Sequence, residues 1–262
     1  VNFRAASGPP FVFLGVGFRP FGRPLYSFAA MAFLQRFGAD LSESMAHTRP
    51  TSYIIDRIID DELVYVHWLI TQLGSNNYNF RVPPLLVDRV NGGERFFADE
   101  ELREAIVHDL EPSSSMDELR DTWGSQSQEL FKAFFARMKR HPPYLLKVHV
   151  TNYGAGGSYH PTGLPGHPGP FIASRNPKIA TSRWTFNQVI VHETIEFLIH
   201  NDVRRRKTSR EAKEAIVDKF CSCNELQAVY GKYPKQISFA EALPDDWRSY
   251  IEWQPGESPN WD

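Results

Sequence analysis

The chain has 262 residues, 42% hydrophobic and 23% charged, a balance that excludes disorder over its whole length and suits a core built without staples. Its 29 basic and 31 acidic residues leave a net charge of −2, so no bulk charge directs it to nucleic acid or to an anionic membrane. The two cysteines, Cys221 and Cys223, stand one residue apart and exclude a disulfide scaffold, which favours a reducing, cytoplasmic setting, with a processed targeting segment left open.

No apolar run approaches the ~18 residues of a membrane span. The run at 11–18 is too short for a signal peptide and lacks its flanks. Residues 1–23 are rich in Gly, Pro and Phe and read as an irregular arm with a short strand at 11–16. Pro24 in the first turn and Gly38 at the stop predict a helix over 25–37. A longer helix is predicted over 51–73, because Ile54, Ile55, Ile58, Ile59, Leu63, Val66, Leu69 and Ile70 recur at three- and four-residue steps. Pro83, Pro84 and the Gly92-Gly93 pair make 75–93 a loop with at most one short strand. Helices follow over 99–110 and, from the capping box at 115–118, to about Arg140.

His141-Pro142-Pro143 marks a change of pattern and a soft boundary. It divides a helical region, 1–141, with no assigned role from a C-terminal region, 142–262. There 144–152 is β-type, 154–170 is a Gly/Pro loop and 171–174 is a second strand. Capping boxes at 185–188 and 208–211 open helices to about His200 and Tyr230. The last 30 residues hold three of the six tryptophans and read as an extended tail over a core. The expected class is α+β, mostly helical with a small sheet.

The chemistry is concentrated between 189 and 218. On a helix, His192 and Glu196 are four residues apart, offset by ~6 Å along the axis and ~40° around it, so both can grip one ion. Glu193 is rotated ~100° from His192 and can flank that ion without ligating it. His192 and Glu193 lie between the apolar residues Val189, Ile190, Val191 and Ile195, Phe197, Leu198, where charge is costly unless paired. Glu214 and Asp218 share a face of the next helix, and a short linker makes the two helices neighbours. Glu214 is then the expected third ligand, and Asp218 the expected acceptor for the free ring N–H of His192.

The pattern His192-Glu193-x-x-Glu196 followed by Glu214 and Asp218 resembles the zincin metallopeptidases in their gluzincin arrangement. The loop from Tyr153 to His160 resembles the stretch before the active-site helix in some bacterial zincin-like proteins, which leads into an edge strand that aligns the substrate. The resemblance covers about residues 145–225. It implies a zincin-like active-site helix pair in the C-terminal half. It also implies one divalent ion held by His192, Glu196 and Glu214, with a metal-bound water activated by Glu193 to hydrolyse a peptide or amide bond. Family members carry His where this chain has Glu196. One imidazole with two carboxylates is harder and more negative, so zinc leads while manganese and ferrous iron become candidates, and the ion is a weaker Lewis acid. Two alternatives come from other classes. One is a non-hydrolytic metalloenzyme using this ion for oxidation, cyclisation or elimination. The other is a catalytically inactive zincin fold that binds a peptide partner.

Tyr159 is placed near the metal as an oxyanion stabiliser, with Tyr230 and Tyr233 as competitors. His160 and His167 read as exposed histidines of a Pro-rich loop. His200, eight residues after His192, reads as a helix-end residue outside the ligand set. His67, near Asp56 and Asp60, reads as a solvated or core histidine. Arg204 to Lys207 is a basic run after a helix end, favoured there by the helix dipole. Gly154-Ala-Gly-Gly157 lacks the Lys-Ser/Thr of a phosphate loop. The expected partner is a peptide or small-molecule substrate, with no nucleic acid and no membrane, and the oligomeric state is open.

Overall fold

The computed structural model describes residues 52–73, 80–109, 116–140, 145–164, 167–177, 183–236 and 241–254. The arm over 1–23 and the helix over 25–37 lie outside these residues. Strand β1 (Ser52–Asp56) pairs in parallel with β2 (Leu145–Thr151), Ser52 opposite Leu145. The soft boundary at Pro142 is therefore spanned by the sheet. Strand β3 (Gly157–His160) is followed by the short antiparallel pair β4 (Gly163–Leu164) and β5 (His167–Pro168). Strand β6 (Phe171–Arg175) completes a four-stranded sheet of order β1-β2-β6-β3, in which β6 is parallel to β2 and β3 is antiparallel to β6.

Two of these strands depart from the sequence pattern. Residues 52–56 were expected to start a helix, but Tyr53, Ile54 and Ile55 are β-type residues and take up the ladder beside β2. The expected Gly/Pro loop over 154–170 contains β3, because its glycines leave room for close packing.

Helix α1 (Ile59–Gln72) opens with Asp60, Asp61 and Glu62, which favour a helix N-terminus. The described part of 75–93 holds a 3-10 turn, Pro84–Leu86, and the short helix α2 (Val87–Asn91), where a loop was expected; Pro84 starts the turn with its φ preset. Helices α3 (Asp99–His108) and α4 (Met116–Arg137) follow as expected.

Helix α5 (Phe186–Arg206) begins at a complete Thr185–Gln188 capping box and ends at Lys207, whose φ is 53°. It passes the expected stop at His200 because Asp202 is buried and paired with Arg140 at 2.9 Å, and Arg204, Arg205 and Arg206 suit its last turn. The basic run is thus mostly helical. Helix α6 (Arg210–Cys221) is capped by Ser209, one residue later than expected, since the Thr208 hydroxyl bonds Tyr250 instead. It breaks at Ser222 before α7 (Asn224–Tyr230). The tail contributes one helical turn, α8 (Arg248–Ile251), with Trp247, Tyr250 and Ile251 buried.

The fold class is α+β, helix-rich with a small mixed sheet. The sheet separates two cores. Leu146, Val148, Val150 and Ile172 pack on one face with Phe134, Ile190, Ile195 and Phe220. Phe171 and Ala173 face the other side, with Val66, Leu69, Leu102 and Tyr153. On that second side His149 Nε2 meets Glu62 Oε2 at 2.5 Å, both side chains nearly inaccessible. No helix among the described residues is long and apolar enough to cross a membrane.

Candidate metal centre

Helices α5 and α6 are joined by only Lys207, Thr208 and Ser209, which makes them neighbours and brings His192 and Glu196 of α5 to Glu214 of α6. His192 Nε2 lies 3.2 Å from Glu196 Oε1 and 3.5 Å from Glu214 Oε2. One ligand atom from each of the three residues lies within 4.8 Å of the others. The residues are only 3%, 5% and 7% exposed. With metal–N and metal–O bonds near 2.1 Å, tetrahedral donors stand roughly 3.4 Å apart, so the two separations from His192 Nε2 fit one small cation. His192, Glu196 and Glu214 could hold a metal ion.

The tautomer of His192 follows from its neighbours. The Tyr233 hydroxyl donates to Asp218 Oδ1 at 3.1 Å, so it can only accept from His192 Nδ1, 2.8 Å away. That leaves Nε2 directed at the two glutamates. Asp218 Oδ2 accepts the Gln236 backbone N–H at 2.5 Å, and Gln236 Nε2 donates to Glu214 Oε2 at 2.9 Å. The sequence placed Asp218 directly on the imidazole; it acts instead through Tyr233, a residue from the segment after α7. Trp184 lies over the ring, with centroids 4.9 Å apart. Burial opposes a proton on His192, but bonds to Cys221, Glu196 and Glu214 and the nearby Glu193 outweigh it and raise the ring well above its ordinary value. The space between Nε2 and the two carboxylates favours positive charge.

Glu193 lies beside this group, 5% exposed, against Gly157 of β3. Burial, with the charge of Glu196, pushes its carboxyl up to about 8. Lys213 was missed by sequence reasoning. Its Nζ is 2.6 Å from Glu196 Oε2 and 3.1 Å from Glu214 Oε1. Burial opposes its charge, yet Glu196 and Glu214 hold it well above the usual lysine range. Glu214 is held well below the usual carboxylate range: burial works against this, but the bond to His192 and the Lys213 charge prevail. The sequence signal was two carboxylates on adjoining helices with only one imidazole between them, a set that calls for a further cation.

These residues floor a cavity of about 510 Å³. Its walls include Tyr65, Trp68 and Trp184, with Gly157, Ser158 and Tyr159 of β3. Strand β3 is an edge of the sheet, and its outer side pairs with no described strand. Tyr159 lines the cavity as expected, but its hydroxyl is hydrogen-bonded to His200 Nδ1 at 2.9 Å and not to the ligand group. Of its competitors, Tyr233 orients His192, and the Tyr230 hydroxyl donates to Cys221 O. His200 is therefore a mid-helix residue with a specific partner. His160, expected to be exposed, is 6% exposed in β3 and stacks on Phe171 at 4.6 Å. The strand that buries it was not foreseen. The His167 side chain lies outside the described residues. His67 meets Asp99 at 2.9 Å in an exposed pair rather than Asp56 or Asp60.

No family model matches the chain, and no curated protein or solved structure matches it either.

Proposed function

We propose that this protein is a divalent-metal-dependent hydrolase of peptide or amide bonds. His192, Glu196 and Glu214 hold the ion, zinc first among the candidates and manganese or iron after it. Glu193 is the acid–base group. The observation that carries this reading is the convergence of the three ligand atoms within 4.8 Å of one another beside a buried Glu193, at the floor of a cavity walled by an edge strand. When bound, a divalent ion supplies Lewis acidity and brings the pKa of a coordinated water towards neutrality.

The chain's own groups do the rest. Tyr233 and Asp218 fix the imidazole so that Nε2 faces the site. The outer side of β3 offers backbone donors and acceptors to an extended substrate. Glu193 accepts a proton at its carboxylate and returns it to the leaving amine. Trp184 covers one side of the His192 ring.

One observation favours a second reading, an inactive centre that binds a peptide partner. Lys213 already sits on both carboxylates, and an ammonium can serve as the cation there.

Metal analysis of protein purified without added metal separates the two. One equivalent of divalent ion, and peptide cleavage that falls ~10²–10⁴-fold in Glu193→Gln with metal retained, supports the hydrolase. A metal-free protein, folded and inert towards peptides after incubation with zinc, manganese or ferrous iron, would leave the inactive centre.

A further inference from the structure

Lys213 is not a ligand, yet it touches two of the three. The oxygens it holds, Glu196 Oε2 and Glu214 Oε1, are not the ones turned to the imidazole; those are Glu196 Oε1 and Glu214 Oε2. Each carboxylate is thus divided, one oxygen to the ammonium and one to the open side of His192. The lysine side chain is only 16% exposed, and its Nζ lies 5.6 Å from the centroid of the Tyr159 ring. It is held in place, unlike a surface lysine whose head moves freely in water.

Charge gives this arrangement a purpose. A divalent ion on one imidazole and two carboxylates is neutral overall. The ammonium returns one positive charge, the balance of a divalent ion on two imidazoles and one carboxylate. We propose that Lys213 is a positioning residue and built-in counter-charge for Glu196: it leaves one oxygen of each glutamate for a divalent ion and restores the charge that a carboxylate at position 196 removes. This rests on the metal-centre reading of the same residues. It means that Glu196 and Lys213 act as a pair, and that changing either alone shifts the charge of the centre by one unit.

The test is a double-mutant cycle on zinc affinity in the full chain, read by competition with a chromophoric chelator, with circular dichroism as the check on folding. Glu196→His alone leaves the ammonium beside the ion with one fewer carboxylate, and zinc affinity falls about tenfold or more. Glu196→His combined with Lys213→Met has the wild-type charge balance and recovers affinity to within about threefold of wild type. Cobalt supplies an independent readout. Lys213→Met frees a second oxygen on each glutamate, the coordination number rises, and the visible cobalt absorption weakens; Lys213→Arg keeps the charge and preserves the wild-type spectrum. If Lys213→Met does not fold, Lys213→Gln replaces it in both measurements. A double variant that binds zinc no more tightly than Glu196→His alone, or a cobalt spectrum indifferent to residue 213, overturns this proposal and leaves the metal centre standing. A wild-type protein that binds neither zinc nor cobalt overturns both.

Discussion

Gly157 and Glu193 contest the same space: a Cβ on Gly157 would lie 2.5 Å from Glu193 Oε1 and 2.7 Å from Val189 Cγ1. The absence of a side chain lets the edge strand approach α5 closely enough to wall in the buried carboxyl. Gly157→Ala must displace either the strand or Glu193. A displacement near 1 Å at an acid–base group costs about 10²-fold in rate. The expected outcome is a loss of turnover of that size with metal content unchanged, measured by peptide cleavage and elemental analysis on the same preparation. Full activity in Gly157→Ala would show that Glu193 does not act from this position.

Glu196→Ala and Glu214→Ala each remove one of the three proposed ligands, and each should sharply lower the metal bound per chain. Elemental analysis after gel filtration reads this directly. Full occupancy in Glu214→Ala would remove α6 from the centre.

The Tyr233–Asp218 relay makes a graded prediction. Tyr233→Phe deletes the oxygen that accepts from His192 Nδ1, so the ring loses its fixed tautomer, and metal affinity should fall ~10–100-fold. Asp218→Asn keeps an oxygen for the Tyr233 hydroxyl and should cost less. Chelator competition on both variants checks the order. A larger loss in Asp218→Asn than in Tyr233→Phe would mean that the aspartate acts by another route.

His160 carries a pH prediction. Burial, with the nearby His149, pushes its ring down from 6.5 to about 4. The unfolded chain takes up this proton near 6.5 and the folded chain only near 4. Its contribution is therefore intact above 6.5 and is lost progressively as the pH falls through that window, by roughly 3 kcal/mol in all. Urea unfolding of the wild type at a series of pH values should show the slope, and His160→Gln should flatten it. Parallel slopes for the two proteins would contradict this account.

The candidate ligands were legible because helical spacing alone puts His192 and Glu196 on one stripe and Glu214 with Asp218 on another. Lys213 was not. It directly precedes Glu214 and looks like any charged residue on the rim of an amphipathic helix, and only the meeting of α5 with α6 gives it two partners. Tyr233 was named for the wrong task, since the segment after α7 has no periodicity from which to derive its path. Strand β1 was hidden by the isoleucines at 54, 55, 58 and 59, whose spacing also suits a helix. The partner that decides the matter, β2, lies far along the chain. Strand β3 was hidden by its glycines, the feature that lets it pack against Glu193.

The short turn at Lys207–Ser209 bears on the order of assembly. Loop-closure entropy grows with the logarithm of the loop. His192 and Glu214 need only two consecutive helices to meet, whereas Ser52 must find Leu145 before the sheet can begin. The proposed ligand set is therefore a contact of low sequence separation in a fold whose sheet is not. A helix hairpin from α5 and α6 can bring its three donors together while β1 and β2 are still apart, and an ion captured at that stage would bias the chain towards the native hairpin before the cores close.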